Sequence, residues 1–248
     1  MTKKSAAFFD IDGTFYISKS GLKTNIKLAK QYREKGNILG FATGRTYEYF
    51  KKVIKQPTKL CDYIASNHGG VILKSDGTLI EYHPIDKEII NEVTKIFKNT
   101  DISYHDIYNT VISCNKPNIT KVSYKILDLE KNYDEDNIQK AKEEATELNE
   151  KVKKEFGNKV NSFRVITDRS VYVEIVSIKA EKSLAIKKII ELENISSKDV
   201  YTVGDDETDI EMVREFNGFA MEDGNDKVKD VAKTIIKDLS QVFDIINT

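Results

Sequence analysis

Two closely spaced aspartates, Asp10 and Asp12, stand out near the start of the sequence. They end a short apolar run that begins at Ala6 and precede Gly13-Thr14, which predicts a buried strand followed by a carboxylate-bearing turn. One such aspartate can attack an electrophile while its neighbour moves a proton. Like charges so close are costly, and a hard cation would remove that cost. We expect a catalytic turn; two ordinary turn-forming aspartates are the structural alternative.

A second acidic segment, residues 205–209, follows the apolar run at residues 200–203. Its aspartates supply the oxygen ligands that Mg²⁺ prefers, typically one or two carboxylates together with phosphate. The alternative is a helix N-terminus, where acidic side chains are favoured by the helix dipole. That alternative explains Glu207 and Asp209 well and Asp205 less well.

Two further segments carry groups suited to anions. Thr43-Gly44-Arg45 follow the apolar run at residues 38–42, and a hydroxyl with backbone N–H groups at a helix N-terminus can bind an anion. Lys182 begins the predicted helix after the middle of the chain. Each signal is weak when taken alone. Thr and Gly are common at such turns, and Arg45 equally suits a surface ion pair. A lysine at the start of a helix is commonly only solvated.

The elements that must position these residues alternate between strand and helix. Apolar runs at residues 6–11, 38–42 and 63–66 are separated by helical patterns, and the same rhythm returns after about residue 181. Such alternation predicts an α/β fold with a parallel sheet flanked by helices. Ligands bind beyond the carboxyl ends of the strands in such sheets, which is where the polar segments fall.

The middle of the chain has a different rhythm. Asp76-Gly77 between two apolar runs predicts a hairpin, and a helix is expected over residues 134–156 with an apolar stripe at helical spacing. Strands near residues 110–114, 120–127, 160–167 and 171–177 complete an α+β module. We therefore expect a discontinuous core domain, residues 1–82 and 179–248, interrupted by an inserted domain at residues 83–178.

Composition excludes several classes of protein. The 248 residues are 40% hydrophobic and 32% charged, which is typical of a globular chain. Lys plus Arg total 39 and Asp plus Glu total 40, so there is none of the basic excess expected of a nucleic-acid-binding protein. The two cysteines and three histidines are scattered, which argues against a disulfide framework or a zinc site. No apolar run suits a membrane span or a signal peptide, and we expect a cytoplasmic protein.

In this combination and order, the motifs strongly resemble those of the haloacid dehalogenase (HAD) superfamily of phosphohydrolases. The matching segments, from the first motif to the fourth, are Asp10-x-Asp12-Gly13-Thr14, Thr43-Gly44-Arg45, Lys182 and Gly204-Asp205-Asp206-x-x-Asp209. The resemblance spans the whole chain at the level of motif order, and its first motif is the most specific. The inserted block is similar to the large α/β cap of the Cof-type subfamily. The resemblance thus implies a HAD-like Rossmannoid core with a cap domain.

This resemblance implies a Mg²⁺-dependent phosphatase that hydrolyses a small phosphate monoester, such as a sugar phosphate, through an aspartyl-phosphate. Asp10 would be the nucleophile and Asp12 the general acid and base. The implied metal ligands are Asp10, the backbone carbonyl of Asp12, Asp205 and Asp209. The implied phosphate- or substrate-binding residues are Thr43, Gly44, Arg45, Lys182 and Thr208. The partner would be a small phosphorylated metabolite, with no nucleic acid or membrane; the oligomeric state is left open.

The sequence departs from the Cof-type pattern at two places near the phosphate site. Thr208 replaces the usual Asn before the last aspartate of the fourth motif, and Asp223 lies where the family has Gly-Asn-Ala. Thr208 can form hydrogen bonds but is no amide, and Asp223 adds negative charge. Two alternatives stay open beside the phosphatase: a phosphomutase of the same superfamily and a non-catalytic regulator that binds a phosphometabolite.

Overall fold

The computed structural model describes residues 4–97, 101–111, 113–128, 134–167 and 170–246. By its internal contacts the chain divides into two compact units. The first comprises Met1–Glu81 and Glu181–Thr248, and the second comprises Tyr82–Ala180. The second unit is thus inserted into the sequence of the first.

The first unit is built on an eight-stranded sheet. In chain order its elements are β1 (Ala6–Phe9), α1 (Lys19–Glu34), β2 (Ile38–Ala42), α2 (Tyr47–Val53), β3 (Tyr63–Ser66), β4 (Val71–Lys74) and β5 (Leu79–Tyr82). After the insert follow α5 (Lys182–Leu192), β11 (Val200–Gly204), α6 (Ile210–Glu215), β12 (Asn217–Met221), α7 (Asp226–Lys229), β13 (Thr234–Ile236) and α8 (Leu239–Ile246). The predicted α/β fold is confirmed.

The strand order across this sheet is β13-β12-β11-β1-β2-β3-β4-β5. Six of the strands, β13 through β3, run parallel, and β4 pairs antiparallel with β3. Strands β1 and β2 are buried along their whole length, as expected for central parallel strands covered by helices on both faces. The strand order reverses direction between β1 and β11, and such switch points are where open α/β sheets bind ligands.

The second unit has its own sheet and its own core. Its elements are α3 (Lys87–Val93), β6 (Ile102–His105), β7 (Thr110–Val111), β8 (Lys121–Asp128), α4 (Glu135–Phe156), β9 (Val160–Ile166) and β10 (Ser170–Ser177). The strands form an antiparallel sheet in the order β7-β6-β8-β10-β9. Residues of α3, α4 and the sheet share a hydrophobic cluster, in which Phe97 stacks on Tyr124 with ring centroids 4.3 Å apart.

Local sequence chemistry explains where the helices of the two units begin. Ser18, Thr46 and Asp134 each precede a helix, and the side chain of each accepts a hydrogen bond from a backbone N–H of the first turn. Such caps contribute about 1 kcal/mol each. The predicted stripe on α4 is largely confirmed, since its buried residues include Ala141, Ala145 and Leu148.

Two expectations for the second unit need correction. The strand expected near residues 110–114 is only the two-residue β7, and position 112 lies outside the described residues. A strand that the pattern did not predict, β6, pairs with both β7 and β8. Its first three residues are half-buried, so it lacks the clear apolar alternation that marks a strand in sequence.

Candidate active site

The carboxyl ends of β1 and β11 bring three aspartates together. The two strands are parallel neighbours with Phe9 opposite Val203, and the N–H of Asp10 donates to the carbonyl of Val203 over 2.9 Å. One carboxylate oxygen from each of Asp10, Asp205 and Asp209 lies within 4.8 Å of the other two. The first and fourth sequence motifs therefore meet at one point, although about 190 residues separate them along the chain.

Lys182 lies between two of these carboxylates. Its Nζ is 2.7 Å from Oδ1 of Asp10 and 2.6 Å from Oδ1 of Asp209, and only 2% of the side chain is exposed. Burial alone would lower the pKa of Lys182, but the charges of Asp10 and Asp209 outweigh it and raise that pKa. The ammonium is therefore held charged in a buried position, as the first residue of α5.

The cluster carries more carboxylates than cations. Burial, together with the neighbouring carboxylates of Asp209, Asp205 and Asp12, raises the pKa of Asp10 well above its usual range, against the opposing effect of Lys182. Burial, followed by the charge of Asp209, raises the pKa of Asp205 to about 7. Both shifts have the same cause: ionised carboxylates are desolvated and crowded here.

Hydrogen bonds orient the carboxylates of the fourth motif. Thr14 is fully buried, and its hydroxyl donates to Oδ1 of Asp205 over 2.6 Å. Oδ2 of Asp209 accepts the backbone N–H groups of Asp205 and Asp206, each over 3.1 Å. Asp209 thus binds Lys182 with one oxygen and closes the turn after β11 with the other.

Asp12 and Arg45 form a pair of their own. The Arg45 Nε and Nη2 donate to the two oxygens of Asp12, each over 2.6 Å. This bond to Asp12 is the largest cause of the raised pKa of Arg45. Half of the Asp12 side chain is exposed, at 49%, and its carboxylate does not belong to the three-aspartate cluster among the described residues.

The remaining predicted site residues lie in the turns around this cluster. Thr43 follows β2, is 1% exposed, and its hydroxyl accepts the N–H of Arg45 over 3.2 Å. Gly44 is half-buried beside the ring of His68. Thr208 is half-buried in the short 3₁₀ turn before α6, and Asp223 is exposed in the turn after β12.

Two contributions were missed by the sequence reasoning. Thr14 was noted only as part of the first motif, and its bond to Asp205 could have been suspected from that position. The other is the segment Asn67–Gly69 after β3, whose backbone binds the Thr43 turn. Nothing in the type or spacing of these three residues indicates contact with Thr43.

The residues present fit a divalent cation. The cluster of Asp10, Asp205 and Asp209 offers carboxylate oxygens, the ligand type that Mg²⁺ prefers. One ammonium faces three carboxylates, so the fully ionised cluster has an excess of negative charge that a cation would balance.

We find no helix in the described part of the chain that has the length and apolar character to cross a membrane.

Comparison with known proteins finds relatives in sequence and in fold. The chain is 26% identical to an uncharacterized protein of Mycoplasma capricolum subsp. capricolum, over 95% of this chain and 97% of that protein. The fold of the present chain is similar to that of a putative HAD/COF-like hydrolase from Plasmodium vivax, with a TM-score of 0.79 and 21% identity. The match covers 98% of this chain and 96% of that one. It is also similar to a subclass IIB sugar phosphatase, with a TM-score of 0.70, 16% identity and 98% coverage of both chains.

A family model gives the assignment itself. Residues 7–244 match the model of the haloacid dehalogenase-like hydrolases. That range includes all four motifs and the inserted unit. The chain therefore belongs to the haloacid dehalogenase-like hydrolase family.

Proposed function

We propose that this protein is a Mg²⁺-dependent phosphatase that hydrolyses a small phosphate monoester through an aspartyl-phosphate. The observation that carries the proposal is the buried cluster in which Lys182 lies between Asp10 and Asp209, with Asp205 alongside. We further propose that the first unit is the catalytic core domain and the second is the inserted cap domain. A small sugar phosphate or a similar phosphometabolite is the proposed substrate class.

Asp10 is the proposed nucleophile. Its carboxylate attacks the phosphorus of the ester, the bond to the leaving oxygen breaks, and an acyl phosphate forms on Asp10. The bond from Lys182 to Oδ1 orients the carboxylate and opposes the effects that raise its pKa, so more of the group is ionised. Because the Lys182 ammonium lies next to the proposed nucleophile, it is also placed to bind the oxygens of the transferring phosphoryl group, where the charge is greatest.

Asp12 is the proposed proton carrier. It donates a proton to the leaving oxygen and then takes one from the water that hydrolyses the aspartyl-phosphate. Both its oxygens accept bonds from Arg45 in this structure, so this pair must loosen before Asp12 reaches a leaving group. Half of the Asp12 side chain is exposed, so water can replace the guanidinium as its hydrogen-bond partner when the pair opens.

The proposed metal ligands are Asp10, Asp205 and the backbone carbonyl of Asp12, with Asp209 in a supporting position. Both oxygens of Asp209 already accept hydrogen bonds from the protein, which favours that supporting role. When bound, Mg²⁺ would neutralise phosphoryl charge and align the ester for attack. Thr43, with the neighbouring backbone of Gly44, is proposed to bind the phosphoryl group, as is Thr208.

The direct test is phosphate release from p-nitrophenyl phosphate and a panel of sugar phosphates. We expect release that needs Mg²⁺, stops with EDTA, and is lost in Asp10→Asn. Lys187→Met, on the exposed face of α5, serves as a matched control and should retain activity. Accumulation of an isomerised sugar phosphate without free phosphate would instead indicate a phosphomutase. No turnover by folded protein on any substrate would contradict the proposal.

A further inference from the structure

The turn after β3 adopts an unusual backbone conformation. Asn67, His68 and Gly69 all have positive φ, at 51°, 57° and 86°. Such a conformation is uncommon for residues other than glycine and costs on the order of 1–3 kcal/mol per residue where it is strained. Asn67 is fully buried and His68 is 3% exposed. Surrounding contacts must therefore hold this turn in place.

One set of contacts joins this turn to the Thr43 turn. The N–H of His68 donates to the carbonyl of Thr43 over 2.9 Å, and the N–H of Asn67 donates to the carbonyl of Arg45 over 3.0 Å. The N–H of Thr43 in turn donates to Ala65 in β3 over 2.8 Å. These three bonds fix the backbone of the proposed phosphate-binding turn from both ends.

The His68 ring supplies a contact at the centre of the same turn. A Cβ placed on Gly44 would lie 2.5 Å from Cε1 and 2.8 Å from Nε2 of the ring. The imidazole therefore packs directly against the Gly44 backbone, in space that any side chain at position 44 would need. Both the glycine and the ring are required for this close approach.

A second set of contacts joins the turn to the start of α5. A Cβ placed on Gly69 would lie 2.3 Å from the carbonyl oxygen of Glu181 and 3.0 Å from the N of Lys182. Gly69 thus abuts the backbone from which the Lys182 side chain departs. Since Thr43 and Lys182 come from distant parts of the sequence, something must set the distance between them, and this turn contacts both.

We propose that the Asn67–Gly69 turn positions Thr43 and Lys182 relative to each other, and that His68 is a positioning residue acting through its packing against Gly44. The inference rests on the proposed phosphate-binding role of these two residues. His68 holds the Thr43 turn in the position from which the Thr43 hydroxyl and the Lys182 ammonium can reach the same phosphoryl group. An error of about 1 Å in such positions can cost on the order of a hundredfold in rate.

The test is a double-mutant cycle between His68→Gly and Gly44→Ala in the full-length protein with Mg²⁺. Glycine at position 68 removes the whole side chain, including the ring, and still accepts the positive φ, while Gly44→Ala drives a methyl group into the ring. The readouts are KM and kcat for p-nitrophenyl phosphate and the Kd of inorganic phosphate by calorimetry. Phe243→Leu, in the aromatic cluster around Phe9, controls for a general loss of stability.

Each single variant should weaken phosphate binding on the order of tenfold or more, whereas Phe243→Leu should not. The double variant should bind phosphate better than the two losses predict when added, because the new methyl group occupies the vacated ring space. Additive losses, or single variants within twofold of the wild type, would overturn the inference. A wild-type protein that binds phosphate without hydrolysing the ester refutes only the proposed function; one that binds no phosphate overturns both.

Discussion

Replacing Lys182 by methionine tests the electrostatics of the site most sharply. The variant keeps most of the unbranched side chain but removes its terminal ammonium, the buried cation between Asp10 and Asp209. Removing one partner of a buried ion pair typically costs about 3–5 kcal/mol, because the other charge is left uncompensated. In a chain of this size each kcal/mol lowers the melting temperature by about 2–4 °C, so we expect a fall of about 6–20 °C.

The fall in the melting temperature of Lys182→Met should depend on pH and on Mg²⁺. Without Lys182 the pKa of Asp10 rises further in the folded state, so the folded protein binds protons more strongly than the unfolded chain. The loss of stability should therefore be largest at alkaline pH and shrink as the pH falls. Because a divalent cation can replace part of the missing charge, Mg²⁺ should also raise the melting temperature more in the variant than in the wild type.

The assay is thermal unfolding followed by circular dichroism in EDTA and in Mg²⁺, between pH 5 and pH 8. Lys187→Met is the matched control, since Lys187 lies on the same helix in an exposed pair with Glu215. Exposed pairs contribute about 0–1 kcal/mol, so this control should melt within a few degrees of the wild type. If Lys182→Met melts like the control, or if its deficit is independent of pH, the buried cluster is not the stabilising arrangement described.

Three further predictions concern other parts of the molecule. Burial lowers the pKa of His105 to about 3, so this imidazole stays neutral in the folded protein while it gains a proton in the unfolded chain below about pH 6.5. The stability of the fold is therefore unaffected by this group above pH 6.5 and falls as the pH is lowered. The wild type should lose about 2 kcal/mol more than His105→Gln between pH 8 and pH 5 in urea titrations. Thr14→Val, which removes the bond to Asp205, should weaken Mg²⁺ binding about 10–100-fold by calorimetry, with unchanged affinity refuting the orienting role. Leu148→Ala should cost about 2–5 kcal/mol by urea unfolding, and a cost below 1 kcal/mol would contradict the packing.

The overall fold was predictable because its signals are local and strong. The alternation of apolar runs and helical patterns indicated a parallel sheet, and the polar segments fell at strand ends. The helical spacing of Leu22, Ile26 and Ala29 predicts the helix α1 but only part of its buried face, since Ala29 alone of the three is fully buried. Leu22 and Ile26 are at helical spacing but only half-buried, whereas Asn25 is buried with its amide donating to the carbonyl of Phe15 over 2.9 Å. A polar residue satisfied by a distant backbone group leaves no trace in a hydrophobic pattern.

The candidate site shows the same division. Asp10, Asp205 and Lys182 were singled out from residue type and position, and the structure brings them together. The pairing of Arg45 with Asp12 was not predicted, because a side chain of that length can reach several partners from one position. The role of His68 was also invisible, since it depends on three-dimensional proximity to Gly44 rather than on a sequence motif.

Capture of the covalent intermediate tests the central claim most directly. The wild type and the Asp12→Asn variant would be mixed with Mg²⁺ and p-nitrophenyl phosphate, whose leaving group departs as a stable anion without needing a proton from Asp12. The samples would be quenched in acid within milliseconds to seconds and mapped by peptide mass spectrometry. We predict one added phosphoryl group on Asp10, accumulating in Asp12→Asn because that variant lacks the base for the second step. Turnover without any adduct on Asp10, together with full activity of Asp10→Asn, would contradict the account.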